Sequence, residues 1–534
     1  MLLVDIITLW LSFLLIWALV NRGVPIFQEL IRDMSDFFME KALGPGADLF
    51  EGREGSGSVS WMMHGMLWTC IGATFTFIGL WMAHEPDAIA SLSSIYYEPT
   101  AATVQTAASN AATGGILMLL IGAGLHINAR HSGVGLASDT NAVLVSYAFS
   151  MGLFLGFLSD HMSGTWGDSL GTAAATISVL VMLAILANHL LTLGRRTNHT
   201  IMPSQWLIVG GLSMPLIMCV ANFILGIDEA LSESLAVLPM LASALAVALY
   251  VVPYEVGVPL WSRTMAGATV LMTFMTLSPI GVEGVTAVSI EDAAILTIFY
   301  AASMIPILAA AGNVFQTARS NWGRASSSAA STSVMVGMFM LVGSAIGHLF
   351  VGADAHSGDE IQYLASSMDT LFLWGGMGMI AWGGVISCFP QATGRALHSD
   401  ETNRMTTWFV AGGATLAFLF SMGASMVSSA YDAAAVANDS IDADLIDMSA
   451  IDTLEILASI AFYAVVMAAI LMMLNMIRGS FSGTPLGTDE PASPSANRMA
   501  LTPGISTTIR QLLAAGAGPN TELDVICDRC DEEE

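Results

Sequence analysis

Thirteen apolar stretches of about twenty residues recur along the chain, at 3–20, 60–83, 110–128, 141–158, 172–193, 206–226, 235–253, 264–279, 292–312, 331–350, 370–389, 406–429 and 453–476. At about 1.5 Å of rise per residue, a helix of that length crosses roughly 30 Å of hydrocarbon. A membrane β-barrel would show ~10-residue segments of alternating polarity instead, and these stretches do not alternate. The pattern predicts an all-α integral membrane protein with about 13 transmembrane helices. Composition agrees: 54% of the 534 residues are hydrophobic and 11% charged, against about 25% charged in a soluble domain.

The basic residues fix a direction. Arg22, Arg32, Lys41 and Arg53 follow the first stretch, Arg130 the third, Arg195 and Arg196 the fifth, and Arg263 the seventh. Arg319 and Arg324 follow the ninth, Arg395 and Arg404 the eleventh, and Arg478, Arg498, Arg510 and Arg529 the last. Loops after even-numbered stretches hold none and carry acids such as Glu85, Asp160, Asp228, Glu283, Asp354 and Asp442. Lys and Arg accumulate in loops on the cytoplasmic side. The expectation is a multi-pass protein of the cell membrane, its N-terminus outside and its C-terminus cytoplasmic.

Four regions follow. Residues 1–22 form an extra N-terminal transmembrane helix, retained because no cleavage site of a signal peptide is evident. Residues 23–59 form an amphipathic cytoplasmic or interfacial segment, in which Phe27, Leu30, Ile31, Met34, Phe37 and Phe38 recur at helical spacing. It either lies on lipid or packs on the cytoplasmic ends of other spans. Residues 60–476 make a twelve-helix membrane domain, and 477–534 a flexible acidic tail that opens with a Gly, Ser, Thr and Pro linker.

A net charge of −27 excludes the basic footprint of a nucleic-acid binder, and five cysteines make no secreted disulfide framework. Such acidity fits a halophilic or acid-surfaced archaeal or bacterial membrane protein. Ionisable residues inside the spans, which pumps and transporters use, are scarce: Asp5 and Glu455 sit near span ends. Of ten histidines, His126 and His189 lie close to inner span ends and His348 near the outer end of its span, and only His64 reads as inserted, near the cytoplasmic end of its helix. It is a candidate axial haem ligand, or a core histidine bonded to a neighbouring helix. Cys527 and Cys530 offer two of the four thiolates of a metal site, or a reduced unligated pair. Asp439, Asp442, Asp444 and Asp447 lack the Gly and terminal Glu of an EF-hand and read as a solvated face. The methionines Met62, Met63, Met66 and Met82 read as packing. The glycine pairs 210–211, 375–376, 383–384 and 412–413 read as close helix contacts or, more sharply, as a broken-helix binding site.

Two segments carry a resemblance. One is Leu193-Gly-Arg195-Arg196-Thr-Asn-His199-Thr-Ile201, with Trp206 after it; the other runs from Tyr250-Val-Val-Pro253 to Pro259-Leu-Trp261-Ser262-Arg263. They resemble subunit I of haem-copper oxidases, particularly the C-type cytochrome oxidases and nitric oxide reductases. The glycine-rich span Trp374–Phe389, ending at Pro390 before Gly394-Arg395, is similar to that family's haem-ligand helix. The resemblance covers residues 60–476, and the cytoplasmic facing of the turns agrees with it.

The resemblance implies a haem-copper-oxidase-like bundle and, in active members, haem and copper held by six histidines. Counted from the motif residues, those positions fall on Ala107 to Asn110, near Glu233, at Ile280-Gly281 beside Pro279, and near Met368 and Thr370. None is a histidine. Haem and copper are therefore not expected as cofactors, and three readings stand open. The chain is a redox-inactive structural or regulatory relative associated with other respiratory-complex subunits and membrane lipid. Alternatively it is a secondary transporter or a lipid- or quinone-binding protein, or, if the ligand positions are wrong, an active terminal oxidase subunit.

Overall fold

A computed structural model describes residues 25–44, 52–85, 87–95, 99–162, 164–198, 201–225, 229–276, 290–354, 367–437 and 449–486, preceded by the single residues 7, 10, 11 and 14. The expected span 3–20 falls almost wholly outside these residues, as do Cys527, Cys530 and the acidic run 439–447. The described chain is helical. After the amphipathic α1 (Pro25–Phe37) come α2 (Ser56–His84), α3 (Ala101–Ser132), α4 (Asp139–His161), α5 (Thr165–Gly194) and α6 (Pro203–Leu225). Then follow α7 (Glu229–Val256), α8 (Arg263–Met275), α9 (Ile290–Ser320), the short α10 (Trp322–Ser327) and α11 (Ala329–Asp354). Last are α12 (Ser367–Thr393), α13 (Asp400–Ala437) and α14 (Ser449–Ser482).

Among the described residues ten helices are long and apolar enough to cross a membrane. The expected span 264–279 differs. Here α8 stops at Met275, and Thr276 turns extended (φ −119°, ψ 163°). The next residues are Leu277-Ser278-Pro279, and a residue before proline is steered away from helical backbone. The thirteen residues of α8 make about 20 Å, and residues 277–279 of the expected span lie outside the described ones. Met151, Leu180, Phe339, Leu416 and Ile460 are exposed on the outside of the bundle, as a lipid-facing surface requires.

Burial separates inner helices from outer ones. The apolar centres of α3, α7 and α12 are 78%, 89% and 89% buried, and those of the other seven spans 28–61%. These three helices touch one another. A Cβ on Gly384 of α12 would come within 2.9 Å of Val247 on α7 and 3.4 Å of Ala123 on α3, so the helices meet in van der Waals contact along a common axis.

Each inner helix ends in the same loop. It runs Gly133-Val-Gly-Leu136-Ala-Ser138, Gly257-Val-Pro-Leu260-Trp-Ser262 and Gly394-Arg-Ala-Leu397-His-Ser399. The first residue closes the helix with φ of +68°, +71° and +68°, a conformation glycine adopts without cost. The leucine packs on the core. The last residue is the N-cap of α4, α8 or α13, its hydroxyl accepting from the backbone N–H of Asn141, Met265 or Thr402 at 3.2 Å each.

An asparagine on the next helix but one then grips that serine's backbone from both sides. Asn188 of α5 donates to the Ser138 carbonyl (2.7 Å) and accepts from its N–H (3.4 Å). Asn313 of α9 does the same to Ser262 (2.8 and 3.0 Å), and Asn475 of α14 to Ser399 (3.0 and 2.8 Å). One turn on, Thr192 and Thr317 accept from Ala137 and Trp261 N–H at 3.0 Å. In the third copy Gly479 stands there, with the backbone of Leu397 and His398 lying against it. The bundle is thus built from three like-oriented units around α3, α7 and α12, each completed by one more helix: α6, α11 and, for the third, α2.

The third unit closes the ring, because α14 packs on α2 and α2 on α3. The α2–α3 contact brings backbone against backbone: a Cβ on Gly72 would lie 2.5 Å from Ala112 N, and one on Gly115 2.5 Å from Thr69 N. Small residues let backbones approach this closely in lipid, where packing rather than water exclusion drives association. Gly211, Gly375 and Gly383 likewise face Ala242, Met340 and Val334, which answers the glycine-pair question in favour of helix contact there.

Candidate functional site

Below the contact of Ala123, Val247 and Gly384, toward the end that carries the arginines, the axis turns polar. The last turns of α3 bring His126, Arg130 and His131, those of α7 bring Tyr250, Tyr254 and Glu255, and those of α12 bring Ser387, Cys388 and Gln391. Glu255 accepts from the Ser387 hydroxyl at 2.7 Å and, with its other oxygen, from the Ser328 hydroxyl at 2.8 Å. Gln391 donates to the Ser387 carbonyl (2.9 Å), and its Oε1 meets Nε2 of His126 at 3.1 Å. The ring of Tyr250 stacks on Tyr254 at 5.6 Å and takes the His131 ring edge-on at 5.2 Å.

A second branch joins α3 to α5 and α6. Gln205 donates to the Asn128 side-chain oxygen (2.9 Å) and to the Ser132 hydroxyl (3.0 Å), and accepts from Met202 N–H (2.9 Å). Asn128 donates to the His189 carbonyl at 3.2 Å. Around both branches several buried polar atoms have no hydrogen-bond partner among the described residues: Arg130 Nε, His131 Nδ1, the Tyr250 hydroxyl and both ring nitrogens of His189. Each such group costs about 1–3 kcal/mol unless it is met by water or a ligand. Their gathering at one place marks the polar end of the axis as the site where the fold departs from plain packing.

The chemistry of this cluster is that of holding and orienting. Between Glu255 and His126 the path runs through a backbone carbonyl and the Gln391 amide, neither of which gains or loses a proton at ordinary pH. A carboxylate, two imidazoles and two phenols stand together at this end.

The histidine singled out by sequence lies elsewhere. His64 Nδ1 donates to the Ser60 carbonyl at 2.9 Å, and its ring lies edge-on to Tyr147 at 4.4 Å. The hydroxyls of Ser60 and Ser146, 2.6 Å apart, both stand 3.4 Å from that nitrogen. It ties α2 to α4, the bonded-core alternative. His348 lies at the acidic end with Nε2 3.4 Å from Asp369.

The positions where the resemblance places metal ligands can be read in part. Ala107 and Ala108 are buried, Ser109 and Asn110 exposed, and Asn110 donates to Asp160 at 2.9 Å. Met368 lies over Gly347. The Glu233 side chain, Ile280 and Gly281 lie outside the described residues. Beside these positions α12 and α14 bring Trp374 (3% exposed) and Phe462 (0%) into an edge-on pair at 5.3 Å, and Trp382 donates to the Thr406 hydroxyl at 3.3 Å. At the described ones of these positions the chain presents alanine, serine, asparagine, methionine and threonine side chains, where a haem iron faced by copper would call for imidazoles. Among the described residues the one group of three or more potential metal ligands is His84, Asp452 and Glu455, at the opposite end.

Sequence reading missed the axial cluster because it looked for charges and histidines inside spans. The usable signal was the uncharged set Asn128, Gln205 and Tyr250, all at the same ends of apolar stretches.

One further hollow, about 420 Å³, opens at the arginine end between α1 and the start of α4, lined by Asp36, Glu40, Asn141 and Arg195 among others. Beside it α1 presents Leu30, Met34 and Phe37 as an exposed stripe, while Ser35 and Met39 turn inward.

No protein-family model matches the chain, and no curated protein does. Among solved structures it is similar to a haem-copper terminal oxidase determined as a dimer by cryo-EM. That likeness has a TM-score of 0.59 over 83% of this chain and 91% of that one, at 10% sequence identity. It is a likeness of fold.

Proposed function

We propose that this oxidase-like membrane protein is a redox-inactive relative of haem-copper oxidase subunit I, a structural or regulatory partner of a respiratory complex. Its place is the cell membrane, with the arginine end cytoplasmic. One observation carries this reading: at the described positions where the resemblance puts haem ligands the chain has Ala107, Ala108, Met368 and Thr370, and Trp374 packs on Phe462 close by. A protein relieved of its cofactors keeps the bundle for what the bundle touches.

An absorption spectrum with metal analysis of the protein purified from its own membranes tests the first half. The expected result is no Soret band and no stoichiometric iron or copper; a Soret band with one or more irons per chain returns the protein to the active oxidases. Co-purification tests the second half, with other respiratory subunits expected in the preparation, and a chain isolated alone in mild detergent counts against a partner role. The hollow beside Arg195, with the exposed apolar stripe of α1, favours lipid as the alternative ligand. Stabilisation by an anionic lipid, but not by solutes, would support that second reading over transport.

A further inference from the structure

At the acidic end the ring of helices closes where α14 begins beside the last turn of α2. His84 ends α2, and Asp452 and Glu455 stand three residues apart, on one face of the first turns of α14. One ligand atom from each lies within 4.8 Å of the others. Nδ1 of His84 is buried and has no hydrogen-bond partner among the described residues. It lies 3.7 Å from Asp452 Oδ1, too far for a hydrogen bond.

That spacing suits two ligands of one ion. With metal–ligand bonds of about 2.0–2.2 Å, donors at tetrahedral or octahedral angles stand roughly 3–3.5 Å apart, within a small side-chain adjustment of the distance observed. The ring is held edge-on by Trp81 at 6.3 Å. Two carboxylates beside one imidazole repel each other without a cation. Mixed nitrogen and oxygen donors select a borderline divalent ion over the all-oxygen shells of calcium and magnesium.

We propose that His84, Asp452 and Glu455 form a zinc-class divalent-cation site that fastens the last helix of the bundle to the first. Half-exposed Asp452 (54%) gives the ion a way in from the aqueous side, and the remaining coordination positions go to water. Because the ligands come from both sides of the closing contact, an ion bound there stabilises the closed ring.

The test uses full-length protein in detergent, stripped with a chelator and carrying Cys527→Ser and Cys530→Ser so that the tail thiols take no metal. Zinc chloride titrated by calorimetry is expected to bind at one equivalent and to raise the thermal midpoint by a few degrees, with magnesium at millimolar concentration doing neither. His84→Gln and Glu455→Gln are each expected to weaken zinc about tenfold or more, as the loss of one of three protein ligands should. Both variants are checked for unchanged helical circular dichroism and monodispersity. X-ray absorption at the zinc edge is expected to show nitrogen and oxygen neighbours with an imidazole signature. Absence of saturable zinc binding, or binding that survives both substitutions unweakened, overturns the site. None of these readouts involves haem, so the outcome is independent of the redox-inactive reading.

Discussion

At the arginine end, three loops of equal length hold three pairs of helices through the same set of bonds: a left-handed glycine, a packed leucine, a capping serine and an asparagine clasping that serine. At the acidic end the described contacts are single and each is different: Asn110 with Asp160, His84 with Asp452, His348 with Asp369. One end is a frame made three times over; the other is joined pair by pair. The difference teaches where rigidity resides. A neutral amide clasp buried at the helix ends keeps its strength in lipid and in salt, whereas a single exposed contact such as Asn110 with Asp160 contributes little. The frame end therefore sets the helix positions, and the pairwise end is where a bound ion has the most leverage.

Substitutions at the two ends put numbers on this contrast. The largest loss is expected from Asn475→Ala. Asn475 is 3% exposed and bonds Ser399 twice and the Asn403 side-chain oxygen at 2.8 Å. Losing three buried hydrogen bonds should cost about 3 kcal/mol, read from denaturant unfolding of the detergent-solubilised protein. Asn313→Ala and Asn188→Ala each remove one two-bond clasp and should cost about 2 kcal/mol; if either proves neutral, the three loops are not equivalent supports.

Smaller still, Gly133→Ala and Gly394→Ala both place a side chain at positive φ, costing about 1 kcal/mol. The first should cost more, because its Cβ would lie 2.5 Å from the Thr197 hydroxyl while nothing lies within 4 Å at Gly394. Equal losses would mean that Thr197 turns aside. The smallest effect is expected at the acidic end, where Asn110→Ala should change stability by less than about 0.5 kcal/mol. A loss there as large as at Asn475 would erase the distinction between the ends.

Much of this architecture could be read from residue order. The sorting of arginines between alternate loops anticipated the end at which Arg195, Arg395 and Arg404 bond the carbonyls of Ala137, Gly483 and Ser327. The amphipathic spacing in 23–59 coincides with α1, where Ser35 turns inward and Leu30, Met34 and Phe37 stay exposed. The residues that carried the family resemblance take on a physical meaning too. Pro259-Leu-Trp-Ser-Arg263 and Gly394-Arg395 belong to two copies of the repeated loop. They mark the frame, which explains why a resemblance in loops came with no imidazoles at the expected ligand positions. The repeat itself escaped notice because its copies share only a glycine, a leucine and a serine, separated by long apolar helices of unrelated sequence.

Hydropathy, charge sorting and helix length are properties of neighbours along the chain. They sufficed to establish a helical membrane protein, its alternating direction and most of its helix boundaries. Only packing between distant helices decided that α3, α7 and α12 lie innermost, that Asn475 meets Ser399, that Tyr250 faces His131 below the axial contact, and that His84 stands beside Asp452 and Glu455. Such meetings depend on how each helix is rotated about its own axis, and that rotation is set by small residues such as Gly72 and Gly384 choosing which faces come close.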